Sequence, residues 1–293
     1  MLLGAGEAFG VGPGQQLSPD DNTNCKPEST LKRVVLHPIV VALLLYSFLN
    51  MFFPPPLYTN APDDTLYTWH EDYLDERTFN EIRTELVNGS LAHVPNNLNP
   101  KNFGPTSGVL LSFNLEGLEV ARSIPRYAPI VRFVDAIPRV DGANAFVVNL
   151  LRASPSAGPG SAARRKTARK AAGEHIDDTL RQFLRQEAFW SRSNFIAHRT
   201  TVGYLQVPPD MQGGLLKMTA YVTDDQVAIL PKENALVTFR GDTLHGVQSF
   251  RSDSGLARVS IVVEQYKVKP ERYARVATFH TSEPGLPYSR TYQ

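Results

Sequence analysis

Cysteine is almost absent from this sequence, and the single Cys25 excludes an intramolecular disulfide and any zinc site built from several cysteines. An excess of charge of either sign is missing too. Thirty Lys and Arg stand against 29 Asp and Glu, a net charge of +1, so the chain as a whole carries no electrostatic argument for nucleic acid. There is no G-x-S-x-G elbow, no Walker loop and no C-x-x-C pair, which removes the commonest nucleophile, phosphate and redox motifs. No internal repeat is evident. What remains is ordinary globular composition, 42% hydrophobic and 20% charged over 293 residues, enough for one large domain or two small ones.

Long apolar runs are scarce as well, with one exception. Residues 1–33 are rich in Gly, Ser, Pro, Asp and Asn with little apolar periodicity, which predicts a disordered tail. Val34 to Phe53 then gives about twenty residues without a formal charge, close to the length that spans a bilayer as a helix. Pro54, Pro55 and Pro56 end it. The run reads as a single transmembrane signal anchor, with Lys32 and Arg33 on the cytoplasmic side and Asp63, Asp64, Glu71 and Asp72 beyond the other end. That orientation places the following domain in a lumen, of the endoplasmic reticulum or Golgi. A buried globular helix and a cleaved signal peptide are the other readings, and His37, Pro38 and Asn50 weaken a span. Asn88-Gly89-Ser90 is a glycosylation acceptor compatible with a lumenal domain. Residues 54–66 read as a linker and 67–293 as the functional domain.

That domain opens with a short strand and an amphipathic helix, in which Leu74, Phe79, Ile82 and Leu86 recur at helical spacing up to a stop at Asn88-Gly89. Gly108 to Ile137 predicts an extended stretch and then a helix interrupted at Pro125 or Pro129. From Asn144 the pattern changes to short β-rich segments. These are Ala145 to Ala153, Thr200 to Val207, Leu215 to Val222, Ala235 to Gly241 and Ala257 to Val268, with turn residues between them. Helices followed by a run of strands predict an α+β domain, a sandwich or barrel buttressed by N-terminal helices. Ser154 to Gly173 interrupts the strands as a flexible insertion made basic by Arg164, Arg165, Lys166, Arg169 and Lys170. It is either a solvated linker or a loop that recruits an anionic partner; no aromatic is interleaved for base stacking, which disfavours nucleic acid.

Chemistry concentrates between Glu174 and Val263. His175 and Asp177 are two residues apart, so in extended backbone they leave the same face and can converge on one ion. His245, about seventy residues later, is far enough along to return to the same end of a barrel. Two histidines and a carboxylate can occupy one face of an iron octahedron and leave the other positions open. His198 is the alternative ligand, although it has no acidic neighbour in sequence. Arg258 opens the apolar run RVSIVV, on one face with Ser260 and Val262. A buried cation there needs a partner, either a dicarboxylate ligand or a residue such as Glu264.

EHIDDTL, TTVGYLQVPPDMQGGLLKM, FRGDTLHGV and LARVSIVV together resemble the iron(II)- and 2-oxoglutarate-dependent oxygenases of the prolyl 4-hydroxylase-like branch, a likeness that runs from about Ala145 to Val268. The resemblance implies a double-stranded β-helix, or jelly roll, with His175, Asp177 and His245 as iron ligands at the catalytic centre. It implies that Arg258 pairs with the distal carboxylate of 2-oxoglutarate. Tyr204 matches a position where a tyrosine hydroxyl assists that carboxylate, with core packing as its other reading, and Gly213-Gly214 would form the turn into the next strand. Fe(II), 2-oxoglutarate as co-substrate and O2 follow from the likeness, with ascorbate as a further candidate. So does hydroxylation of a substrate C–H bond, a peptidyl proline in a protein or peptide first among the candidates, with release of succinate and CO2. Two features depart from the family pattern: the basic insertion before His175, and a longer interval from His245 to Arg258 through RSDSG, which makes Arg251 a competitor for Arg258. A jelly-roll binding module without turnover, and an oxygenase acting on a small molecule or nucleic acid, are the alternatives.

Overall fold

A computed structural model of the protein describes residues 38–52, 66–95, 106–156, 170–183, 196–219 and 226–285. The chain divides into two compact units, residues 1–41 and 42–293, and the sheets belong to the second. In chain order the elements begin with α1 (Pro38–Phe52), β1 (Tyr67–His70), α2 (Glu76–Asn88), β2 (Thr106–Ser107), β3 (Leu110–Asn114), α3 (Leu115–Ser123) and α4 (Ala128–Ala136). The strands β4 (Ala145–Ala153), β5 (Lys170–His175), β6 (Arg199–Gln206), β7 (Gln212–Gly213), β8 (Leu216–Thr219) and β9 (Gln226–Ile229) follow. The chain continues through β10 (Leu236–Phe239), β11 (Leu244–Gln248), β12 (Phe250–Arg251), β13 (Arg258–Tyr266), a short α5 (Pro270–Tyr273) and β14 (Phe279–Thr281).

Two antiparallel sheets carry the domain. The larger runs β1-β10-β6-β13-β4-β3-β14, with β2 beside β4, and the smaller runs β5-β11-β8-β9. Of the successive strands β4, β5, β6, β8, β9, β10, β11 and β13, the first, third, sixth and eighth enter the larger sheet and the others the smaller. That alternation fits a double-sheet jelly roll, and the mostly β architecture with a few helices meets the α+β expectation.

The period-two pattern of β13 explains how the sheet is clad. Val259, Ile261 and Val263 share a core with Val148 and Leu150 of β4, with Ile82 and Leu86 of α2 and with Ile130 and Phe133 of α4, so one sheet face is covered by helices. Between the sheets, Val202 and Tyr204 of β6 and Val237 and Phe239 of β10 meet Leu216 and Met218 of β8 and Ile229 of β9. Asp75 caps α2 by accepting from the Thr78 amide, and Asn114 caps α3 by accepting from Gly117. The predicted interruption falls at Pro125, in a 3-10 turn over Pro125–Tyr127, whereas Pro129 lies in the first turn of α4, where a missing N–H costs no hydrogen bond.

The transmembrane anchor expected over Val34–Phe53 finds no support among the described residues, which cover Pro38–Phe52 of that run. Helix α1 is 15 residues long, from Pro38 to Phe52, about 22 Å at 1.5 Å per residue against a hydrocarbon core of about 30 Å. Among the described residues no helix is long and apolar enough to cross a membrane. Residues 1–33 and 34–37, most of the 54–66 linker, and residues 157–169 of the basic insertion lie outside the described residues.

Candidate metal centre

Strands β5 and β11 are neighbours in the smaller sheet, and their register sets His175 opposite His245. Cross-strand partners bring their Cβ atoms to about 5 Å, and the two imidazole centroids are 4.4 Å apart. β5 ends at His175, and Asp177, only 3% exposed, is fixed beyond it by its backbone. Its amide donates to the Gly241 carbonyl at 3.1 Å, and its carbonyl accepts from the Ala197 amide at 2.8 Å. A Cβ on Gly241 would stand 2.2 Å from the Ala197 carbonyl oxygen, so the approach of these segments around Asp177 requires glycine. Asp177 Oδ1 then lies 3.7 Å from His175 Nε2 and 3.6 Å from His245 Nε2. One ligand atom from each of the three residues falls within 4.8 Å of the others.

The hydrogen bonds behind these atoms orient the donor set. His175 Nδ1 is 2.7 Å from the Gly173 carbonyl and His245 Nδ1 is 2.9 Å from that of Thr243. A carbonyl only accepts, so each Nδ1 carries the hydrogen and each Nε2 lone pair faces the centre of the triad. The Thr200 hydroxyl donates to Oδ2 of Asp177, which leaves Oδ1 turned to the histidines. Burial pushes the His245 imidazole below its ordinary pKa, against the opposing charge of Asp177 and with a further lowering contribution from His175. Two imidazoles presenting Nε2 and one carboxylate presenting Oδ1 form the donor set of a 2-His-1-carboxylate centre, and the residues fit a divalent iron. Among the described residues, His198 does not join this group.

A second polar cluster lies on the same face of β13. Glu264 accepts from Thr179 Oγ1 at 2.7 Å and from the Tyr266 hydroxyl, which itself accepts from the Leu180 amide at 3.2 Å. The turn immediately after Asp177 is thereby tied to the sheet. Burial, and after it the charge of Asp177, push the Glu264 carboxyl well above the usual carboxylate range. Glu264 is therefore not the partner of Arg258: the two are six residues apart on one strand, about 20 Å along it.

Arg258 opens β13 and is 5% exposed. Its Nη1 donates to the Gly214 carbonyl at 2.8 Å, and its guanidinium carbon lies 5.5 Å from the Tyr204 ring centroid. It forms no ion pair with a carboxylate among the described residues. Burial pushes its pKa down, with Tyr204 opposing; burial pushes the Tyr204 hydroxyl up, with Arg258 opposing. The Tyr204 hydroxyl is buried without a hydrogen-bond partner. A sequestered cation beside an unsatisfied hydroxyl is costly for an empty fold and suited to an anionic ligand such as a carboxylate. Arg251, the competitor, is exposed on β12. The extra residues of RSDSG form a turn closed by Asp210, which accepts from Ser252 Oγ at 2.8 Å and from the Ser254 amide at 2.7 Å.

The structure thus brings His175, Asp177 and His245 together and sets Tyr204 beside Arg258. Sequence reasoning missed Thr200, the Thr179–Glu264–Tyr266 clamp and the Gly214 carbonyl. The alternation that put Arg258, Ser260 and Val262 on one face also puts Glu264 there, which was a usable signal; Thr200 and Gly214 left none, because their partners are distant in sequence.

No family model matches the sequence, and no curated protein matches it. Among solved structures, a prolyl-4-hydroxylase from Pseudomonas putida matches with a TM-score of 0.39 and 14% identity, over 70% of this chain and 94% of that one. A prolyl hydroxylase from Trichoplax adhaerens, in complex with a hypoxia inducible factor oxygen degradation domain peptide fragment, matches with a TM-score of 0.39 and 15% identity, over 82% and 96%. A 2OG-Fe(II) oxygenase family oxidoreductase from Burkholderia pseudomallei matches with a TM-score of 0.37 and 11% identity, over 73% and 96%.

Proposed function

We propose that the domain over residues 67–293 is an Fe(II)- and 2-oxoglutarate-dependent dioxygenase that hydroxylates a substrate C–H bond. The observation that carries this reading is the convergence of His175 Nε2, His245 Nε2 and Asp177 Oδ1, each oriented by a hydrogen bond to its other polar atom. When bound, iron with 2-oxoglutarate and O2 supplies the oxidising power, and succinate and CO2 leave. The protein holds the metal through three side chains on one side. Arg258 and the Tyr204 hydroxyl, both buried, meet the distal carboxylate of the co-substrate, where burial makes charge pairing strong. Phe239, whose ring centroid is 4.8 Å from that of His245, covers one side of the ligand histidine and excludes water there. A peptidyl substrate, with proline first, rests on the motif resemblance, and ascorbate is the reductant to include in assays.

The test is anaerobic titration with Fe(II) and 2-oxoglutarate, followed by admission of oxygen. A weak visible charge-transfer band is expected on adding the oxoacid, with succinate released when oxygen enters. His175→Ala and His245→Ala should abolish the band. Arg258→Ala should keep the metal and bind 2-oxoglutarate about 10–100-fold more weakly, the size of a lost charge-assisted contact. No band in the native protein, or a band untouched by the histidine substitutions, ends this reading.

A further inference from the structure

A carboxyl is an unfavourable group for the place that Glu264 holds. The residue is 3% exposed on β13, and among the described residues it forms no ion pair. Val259, Ile261 and Val263 pack on the helix side of that strand, so Glu264 faces the space between the sheets, with Val147 of β4 on one flank and Thr200 of β6 on the other. An apolar side chain of that size would fill the position without the cost of taking a carboxyl out of water. What it would lack is direction, since apolar contacts attract without fixing an orientation.

Both carboxyl oxygens of Glu264 serve one segment. Oε1 accepts from Thr179 Oγ1 at 2.7 Å, and Oε2 accepts from the Tyr266 hydroxyl, whose oxygen in turn accepts from the Leu180 amide at 3.2 Å. Thr179 and Leu180 are the second and third residues after Asp177, and they open the 3-10 turn Thr179–Phe183. Leu180 and Phe183 seat that turn in a cluster with Val147 and Tyr266, but such packing does not fix its position along the sheet. The two bonds at its start do. Thr200, beside Glu264 in the register, holds the Asp177 carboxylate itself, so neighbouring residues of one row grip the metal ligand and the chain that leaves it.

We propose that Glu264 is a positioning residue for the metal centre: through Thr179 directly, and through Tyr266 as a relay to Leu180, it holds the chain after Asp177 so that Oδ1 stays within reach of both imidazole Nε2 atoms. The proposal rests on the metal-binding reading of the triad. It assigns to the strand that begins with Arg258 a second task at its other end, carried by hydrogen bonds and not by contact with the ion. The bonds from Asp177 to Gly241 and Ala197 secure the backbone of the ligand, and the clamp secures the direction in which the chain continues.

The experiment is titration of the full chain with Co(II), read by the visible ligand-field absorption of the bound ion, with urea unfolding of the metal-free protein alongside. Thr179→Val and Tyr266→Phe each remove one hydroxyl and leave every charge in place. Each should weaken Co(II) binding about five-fold, the size of one net hydrogen bond, and shift the absorption band. Glu264→Leu should weaken it about ten-fold or more, and Glu264→Gln, whose amide can accept from Thr179 and donate to the Tyr266 oxygen, should recover most of that loss. Native Co(II) affinity and band in both hydroxyl variants overturn the proposal, even where their urea midpoints fall, because the clamp then serves the fold alone. A loss in Glu264→Gln as large as in Glu264→Leu overturns it as well and assigns the effect to charge near Asp177. Should Glu264→Leu fail to fold, the two hydroxyl variants decide. Failure of the native protein to bind Co(II) overturns the metal centre, and the proposal with it.

Discussion

Thr200 donates its hydroxyl to Oδ2 of Asp177 and so determines which carboxylate oxygen faces the two imidazoles. Asp177 has two backbone bonds as well, but these fix its position in the chain and not the rotation of its carboxylate. With the threonine donor gone, the carboxylate can turn and Oδ1 is no longer held 3.6 and 3.7 Å from the Nε2 atoms. Thr200→Val preserves shape and removes only the donor. It should weaken Co(II) or Mn(II) binding by about 10–100-fold, as loss of a residue supporting a metal ligand typically does, and Thr200→Ser should recover most of that loss. Native metal affinity in Thr200→Val would mean that the backbone bonds to Gly241 and Ala197 orient Asp177 unaided.

Among the elements, the loops at the ends of strands hold the site. Gly241 follows β10 and lies against Ala197, which precedes β6, and Asp177 is bonded to both. Gly241→Ala sets a methyl 2.2 Å from a backbone oxygen that has no rotamer with which to escape. It should cost about 1–3 kcal/mol in urea unfolding and should weaken metal binding along with stability, because the Gly241 carbonyl must move with its neighbour. Stability lost with native metal affinity would show that the loop relaxes away from Asp177. This dependence also marks what the sequence could carry. Strands β4, β6, β10 and β13 were legible because Val, Ile, Leu and Phe recur in them at short range. Strand β5, KAAGEH, has no β-branched residue, and β11, LHGVQ, has a glycine beside its histidine; both are strands because they pair with each other across about seventy residues. His175 and His245 were therefore recognisable as chemistry before their elements were. The apolar run at Val34 has the composition of a span, and its described part is a helix from Pro38 to Phe52.

At the scale of the whole molecule, interleaving the strands between two sheets places one end of the sandwich under several polar groups at once. His198 is among them, just before β6, with its amide donating to the Gln265 carbonyl beside the end of β13. Burial, then the charges of Lys267 and Arg199, lower its pKa from 6.5 to about 4, with Asp242 opposing and Arg240 adding to the shift. The unfolded chain therefore binds a proton that the folded chain refuses between those two values. Stability from this group is fully present above pH 6.5, declines as pH falls toward about 4 and changes no further below that. In metal-free protein, where ligand protonation cannot strip an ion, urea midpoints should fall on acidification from pH 7 to pH 4.5. His198→Asn should flatten that fall, because the substitution leaves no group to titrate at the same place. A decline equally steep in His198→Asn would assign the acid sensitivity elsewhere, with the buried His245, whose pKa is also lowered by burial, as the next group to replace.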